Sequence, residues 1–569
     1  QQVTALVLPP RQNDGHSIGV VNYCYSMGWV DTVLITDAKW FQGPMMYYDE
    51  PIDRYHSQPF SYHAETDSLA LQKLSQNIWQ SFKDEDRTNI DGTSNNKGKI
   101  LGQDYLHLTI IQLFVHWKSD PTMCLATPRG NDTLNVKDFY NTKMVSIRKL
   151  SKVFDALNLY GYVDHVNHTH TDNPENKNTT SRIRTNKKLH DLFIEVDACE
   201  FDVDLNADTK LIHLTDWEID DDGDLVKDAN NKKAKQYIKY DENEPHIAAK
   251  LKVLLEYNQL LRHTHIDVAS LEQPYVIRLK KNKTTKKIEE QLIPINQNKK
   301  FVRRIFSRGD WEANGRFYGG FWQQIGSEYR HHIRINGNRT VELDYSSLHP
   351  NILLVEQGNL PCEDVYSLGT EPILPRFDLL TQRKIMKMAV MMLLNAHSIR
   401  KAYFALMNTY KTPKGEAKDP RSTITYSEFE KYIEAFINKR PSLENLIGKD
   451  QGIRLMYVDS QIIEAIIRNF ISYKLPILCV HDSIIVEERH VELARAEMKT
   501  ATNKILGTEL SFDQNRLTYD NVQGIFKYQD KEFTNDYFDH FRSQLPLKVT
   551  PRHDTNLRAF KKWKAAIQL

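Results

Sequence analysis

Two short stretches, far apart in the chain, constrain its fold most strongly. Val341 to Leu353 reads VELDYSSLHPNIL. Val341, Leu343 and Tyr345 alternate with polar neighbours, as in a strand with one buried face, and the run carries Asp344 to its end before a helix begins near Pro350. Leu475 to Glu487 reads LPILCVHDSIIVE. Two apolar runs, Ile477–Val480 and Ile484–Val486, flank the polar turn His481-Asp482-Ser483, which predicts a hairpin with Asp482 at its tip. Two strand-borne aspartates that can meet in one sheet can clamp two divalent cations for in-line phosphoryl transfer. Between them, Gln382 to Asn395 predicts a helix with Arg383 and Lys387 one turn apart, on a face suited to a triphosphate. Ile385, Met388, Ala389, Met392 and Leu393 supply the apolar face behind it.

The order Asp344-Tyr345-Ser346, then Arg383 and Lys387, then His481-Asp482 resembles motifs A, B and C of the family A DNA polymerases, whose palm is shared by the single-subunit phage-type RNA polymerases. Asn314-Gly315-Arg316 is similar to that family's Thr-Gly-Arg element, whose arginine reaches the primer–template minor groove. The resemblance implies an α+β right-hand polymerase, with an antiparallel palm sheet and helical fingers. It implies that Asp344 and Asp482 bind two Mg²⁺ ions, with Mn²⁺ as an alternative. Arg383 and Lys387 would then grip the phosphates, while Tyr345, Ser346, His349, Met391 and Asn395 would lie beside the nucleotide. Arg316, His481 and Gln461 would meet the primer–template DNA, with Asp459 as the alternative to Gln461 at the primer end. Nucleoside triphosphates are the implied substrates.

Departures from the family pattern bear on substrate choice. His349 stands where the DNA polymerases carry a Glu that excludes the ribose 2′-hydroxyl. Asn395 and Ala396 replace the usual Tyr and Gly, and Ser483 follows the His-Asp pair as in the phage-type RNA polymerases. The sequence favours a DNA-directed DNA polymerase. The alternatives are an RNA polymerase or primase using NTPs, and a non-catalytic nucleic-acid-binding protein that keeps the palm as a scaffold.

The polymerase-like segment spans residues 301–510. Residues 1–104 carry no motif, 196–300 read as an acidic then basic connecting or thumb-like region, and 511–569 as a C-terminal extension ending in a basic amphipathic helix. Residues 105–195 read as helices, a hairpin and a basic segment. This winged-helix pattern would place Arg182, Arg184, Lys187 and Lys188 on phosphates. Net charge is only +1, but Lys280 to Arg304 holds nine basic residues against two acids, a stripe suited to a duplex backbone.

Several weaker signals are set aside. Asp216-Trp-Glu218 has the form of a proofreading exonuclease motif without recognisable partners. The acidic run Glu218 to Asp224 resembles half a calcium loop but ends on Ala229. His165, His168, His170, His263 and His265 lack metal-ligand spacing. No apolar run approaches the roughly 20 residues of a membrane span, and no signal peptide is legible at Gln1. The five scattered cysteines suggest a reducing compartment, and a cytoplasmic or nucleoid-associated protein is expected.

Overall fold

The computed structural model describes residues 51–91, 101–127, 129, 139–140, 142–143, 145–169, 180–219, 225–226, 234–281, 288–411, 418–515, 518–520, 525–528, 531–533 and 549–567. His170, the acidic positions 220–224, Ala229 and the aromatic residues Tyr537, Phe538 and Phe541 lie outside them. The architecture is mixed α and β, built around mainly antiparallel sheets.

The first region is organised by α1 (Gly102–Ser119), a helix buried on almost every face, with Leu106, Ile110, Leu113 and Phe114 all inaccessible. A helix that is apolar nearly all round must sit inside other elements. Against it lie β1 (Ser57–Pro59), β2 (Cys124–Thr127), β3 (Val163–Val166) and β4 (Ser181–Thr185), in the sheet order β1-β2-β4-β3. α2 (Ile147–Leu159) starts where the Ser146 hydroxyl accepts from the Lys149 amide, and α3 (Lys187–Glu195) follows β4.

The helices and the β3–β4 hairpin are present, but the phosphate-gripping role expected for its cations is corrected. β4 is interior to its sheet, so Arg184 is 4% exposed and pairs with Asp164 at 3.0 Å. Arg182 donates to the Arg54 carbonyl at 3.1 Å and to the Ser57 hydroxyl at 3.0 Å. Lys187 pairs with Asp191, and Lys188 donates to the Tyr160 carbonyl at 3.0 Å while lying 4.0 Å from the Tyr162 ring centre. Arg182 and Arg184 are thus used in holding their own region together, whereas Lys187 and Lys188 stay at the surface.

From Ile212 onward two sheets share one hydrophobic core, which runs from Leu211 to Leu510. The first comprises β5 (Ile212–Trp217), β6 (Lys235–Ile238), β8 (Arg303–Ser307) and β9 (Asp310–Tyr318), in the order β9-β8-β5-β6. The second comprises β7 (Ile266–Val268), β10 (Ile333–Ile335), β11 (Asn338–Tyr345), β12 (Ile477–Val480) and β13 (Ser483–Glu487), in the order β12-β13-β11-β10-β7. β14 (Phe512–Asn515) pairs with the far side of β11. β11 is therefore an interior strand, and its alternate face is not solvated. Glu342 is buried, held by two 3.0 Å bonds from Arg330 and one of 2.8 Å from the Ser483 hydroxyl.

Around the sheets pack α4 (Pro245–Arg262), α5 (Leu348–Glu356), α6 (Leu379–Asn395), α7 (Ile399–Tyr410), α8 (Tyr426–Lys439), α9 (Gly452–Ser472), α10 (Val491–Leu506) and α11 (Pro551–Ile567). The C-terminal helix docks on the β7 edge. Arg552 and His553 both bond to Asp267 of β7, at 2.7 and 2.9 Å, while Phe560 and Trp563 pack on Phe201. No described helix is long and apolar enough to cross a membrane.

Candidate active site

β11 and β13 run antiparallel with Asp344 opposite Ser483, so Asp482, one residue before β13, lies beside the end of β11. The Tyr345 amide reaches the Asp482 carbonyl at 3.4 Å. The hairpin turn is tight: β12 ends at Val480, β13 begins at Ser483, and His481 takes a φ of 57°. The favoured two-residue hairpin loops share a positive φ at their first central residue, a position usually taken by Gly, Asn or Asp. A non-glycine residue held there marks a position that the surrounding structure enforces.

On the opposite edge of β11, Asp344 faces Asp513 of β14. Asp344 is pushed up to about 8, first by burial, then by the Asp482 and Glu342 carboxylates, with Asp513 adding to them and Lys387 pulling the other way. The site thus gathers more negative charge than nearby cations offset. Among the described residues no three His, Cys, Asp or Glu side chains converge as a complete metal-binding cluster. A pair of carboxylates with unbalanced charge nevertheless suits Mg²⁺, a hard ion commonly held by one or two carboxylates plus substrate phosphates.

α6 faces this acid pair. Its N-terminus is capped by Asp378, which accepts from the Thr381 amide at 2.6 Å. Ile385, Met386, Ala389, Val390 and Leu393 are buried, leaving Arg383, Lys387, Met391 and Asn395 on an exposed face at four-residue intervals. Arg383 pairs with Asp364 at 2.7 Å. Arg383 and Lys387 lie 6.0 and 5.9 Å from the Tyr366 ring centre, and the Tyr366 side chain is hydrogen-bonded to that of Ser347. The Asn395 amide donates to the Met391 carbonyl at 2.7 Å, and Met391 is 47% exposed.

A second cluster lies between β9 and α9. Arg316 grips Asp459 with its Nε at 3.0 and 2.9 Å from the two oxygens, and its Nη2 closes on the same carboxylate. His349 bonds to Asp459 at 2.7 Å and lies 3.3 Å from Arg316. Asp482 also acts on Arg316, which joins this cluster to the acid pair. β9 must approach α9 closely here. Gly315 takes a φ of 77°, and a Cβ there would sit 2.8 Å from the Phe306 ring and 3.1 Å from the Ser460 hydroxyl. Burial, with Arg316 second, holds the His481 imidazole below its usual range. Gln461 Nε2 and His481 Nδ1 are buried without a hydrogen-bond partner among the described residues.

No family model matches the chain, and no curated protein does. It is similar to a solved structure. That structure is the POL domain of Pol1 from M. smegmatis in complex with DNA primer-template and dNTP, at a TM-score of 0.24 and 14% identity over 36% of this chain. The chain spans 45% of the length of that structure.

One expectation for the site is overturned. Tyr345 does not line it: its ring is buried, its hydroxyl donates to the Met498 carbonyl at 2.6 Å, and burial raises its phenol far above the usual range. As the residue after Asp344 on an interior strand, it points to the other face. Ser346 is tied by its backbone, donating to the Ser511 carbonyl at 3.0 Å and accepting from the Asn351 side chain at 3.1 Å.

Asp513, Tyr366 and Asp364 lie near the acid pair or its facing helix without a motif to mark them, and Asp459 is only the alternative to Gln461 in the sequence. A signal for Asp459 was present: it lies three residues before Ile462 on the buried face of an amphipathic helix, where a carboxylate needs a partner. Asp513 sits on a strand too short and polar to stand out.

Proposed function

We propose that this chain is a DNA-directed DNA polymerase without a proofreading exonuclease, carrying out template-directed nucleotidyl transfer at the Asp344–Asp482 site. The observation that carries this reading is the pairing of β11 with β13, which sets Asp344 and Asp482 side by side, with Asp344 raised to about 8 by burial and its neighbour. A structural carboxylate pair would carry counter-ions. This one faces a helix whose exposed side carries Arg383, paired with Asp364, and Lys387.

Asp344 and Asp482 would hold Mg²⁺, and ions bound there supply Lewis-acid stabilisation of oxygens on which charge develops. Lys387 already acts on Asp344 and presents its ammonium to the same space, where it can balance charge on a leaving pyrophosphate. Arg383 is held by Asp364 and lies over Tyr366, a posture that steers its guanidinium toward phosphate oxygens. Gln461 and His481 each hold a buried polar atom without a partner among the described residues, which a primer end would have to reach by local opening, and Arg316 is held by Asp459. Ser483, read from sequence as the RNA-polymerase variant, is buried and donates to Glu342 at 2.8 Å, a structural duty independent of nucleotide sugar.

Primer extension with one nucleotide type at a time tests the proposal. Deoxynucleotides should be incorporated in strong preference to ribonucleotides, and Asp344→Ala should reduce extension by about three orders of magnitude or more. Efficient ribonucleotide use or initiation without a primer would move the assignment to an RNA polymerase or primase. Unchanged activity in Asp344→Ala would leave only a nucleic-acid-binding scaffold.

A further inference from the structure

A cavity of about 370 Å³ lies away from the acid pair, where the segment Gln58–His63, α1 and Tyr140 meet β5, β6, β8 and the turn before β8. Its size falls within the roughly 300–1,000 Å³ of small-ligand pockets. Among the described residues three cations line it, Lys210, Lys299 and Arg303, and no carboxylate does. Glu242 pairs with Lys210 at 2.7 Å, and Asp208 acts on His63. Lys299 and Arg303 form no salt bridge with a described residue, and each is held below its usual range, Lys299 by burial and then by Arg303, and Arg303 by burial.

His116 of α1 also lines the cavity. It is 3% exposed, and neither ring nitrogen has a hydrogen-bond partner among the described residues. A buried imidazole without partners costs free energy unless something supplies them. One wall is aromatic: Tyr140, His213 and Tyr237 meet edge-on or tilted with ring centres 5.2–5.4 Å apart. Lys299 and Arg303 without a counter-ion among the described residues, an unsatisfied imidazole and an aromatic wall together describe a receptor for an anion attached to a planar ring.

We infer that this cavity binds one nucleoside monophosphate unit, its phosphate held by Lys299 and Arg303 and its base against Tyr140 and Tyr237. The unit has two sources, a free mononucleotide or the 5′-phosphorylated end of a DNA strand, and both present the same chemistry. The site is separate from the proposed polymerase centre and does not depend on it.

The test is calorimetric titration of the full chain with dAMP in EDTA, where a metal-dependent active site is silent. One molecule should bind, at least tenfold more weakly in Lys299→Gln/Arg303→Gln and unchanged in Lys387→Ala. Tyr237→Ala, at a partly exposed position, should weaken binding several-fold and carries the test if the double variant does not fold. Displacement of dAMP by a 5′-phosphorylated oligonucleotide, but not by its 5′-hydroxyl counterpart, would assign a strand end. Displacement by neither would assign the free nucleotide. Absence of dAMP binding, binding indifferent to the cavity variants, or binding lost in Lys387→Ala would overturn the inference.

Discussion

Asp267 and Asp344 are carboxylates on strands of the same sheet, and their surroundings treat them in opposite ways. Burial alone would raise Asp267, but Arg552 and His553 of the C-terminal helix overcome it and hold the group at about 2. Asp344 is raised to about 8, because burial is reinforced by Asp482 and Glu342 and opposed chiefly by Lys387. An acid with partners inside the fold acts as a pin. An acid whose nearest charges are of its own sign leaves work for something from outside, and perturbed groups of that kind cluster at functional sites.

The contrast is broken most directly by removing each charge. Asp344→Asn should abolish primer extension while leaving the melting temperature at pH 8 unchanged or higher, because it deletes an uncompensated buried charge. Asp267→Asn should act in reverse. It leaves Arg552 without its counter-ion, which costs about 3–5 kcal/mol for a broken buried pair, and should lower the melting temperature while sparing the chemistry of the folded fraction. If both variants lost stability alike, the distinction between pin and site would be wrong.

Next in size is the pH dependence. Asp344 has a folded value of about 8, above an unfolded value near 4, so the folded state holds more protons between them. Its contribution to stability is fully present below about pH 4 and is lost as pH rises through 8. Asp267 is depressed to about 2, so its contribution is present above about pH 4 and is lost as pH falls through 2. If the proposed site holds Mg²⁺, the ion competes with the proton on Asp344 and should raise the melting temperature more at pH 8 than at pH 6. A melting curve indifferent to Mg²⁺ at both pH values, in a chain that keeps both aspartates, would count against a metal site. Lys387→Met sharpens the point. Removing the cation that holds Asp344 down should move the acid limb of the activity profile to higher pH and lower activity about tenfold, and Lys387→Arg should restore the limb.

What the sequence disclosed, and what it hid, follows the range of each interaction. Alternation in Val341–Tyr345 and the paired apolar runs around His481-Asp482 are local patterns, and they located β11, β12 and β13. The four-residue spacing of Arg383 and Lys387 is equally local and located the exposed face of α6. Whether a strand is interior depends on neighbours elsewhere in the chain. Tyr345 is buried with Val341 and Leu343, as their alternation implies, and so lies away from the nucleotide that the family resemblance set beside it, while Glu342 on the other face is held by Arg330 and by Ser483, far along the chain. Arg184 was read as a phosphate contact for the same reason, its partner Asp164 lying across a strand pair. The Asp267 pin was invisible because its counter-charges arrive from Arg552 and His553, at the far end of the chain.

The smallest expected effect is at Met391, because the surroundings of Asp267 and of Asp344 also differ in how they treat apolar side chains. At the Asp267 end, Phe560 and Trp563 are packed away on Phe201, whereas Met391 stands 47% exposed although Ala389, Val390 and Leu393 beside it are buried. A methionine left in solvent on an otherwise cationic face has little to lose on truncation. Met391→Ala should change unfolding free energy by no more than about 0.5 kcal/mol, the usual range for surface substitutions. If the proposed nucleotide rests on that face, its base regains the contact that solvent now fails to provide, and the KM for dNTP should rise several-fold with kcat little changed. A stability loss of several kcal/mol would mean that Met391 belongs to the packed end of the comparison, and an unchanged KM would detach the nucleotide from this part of α6.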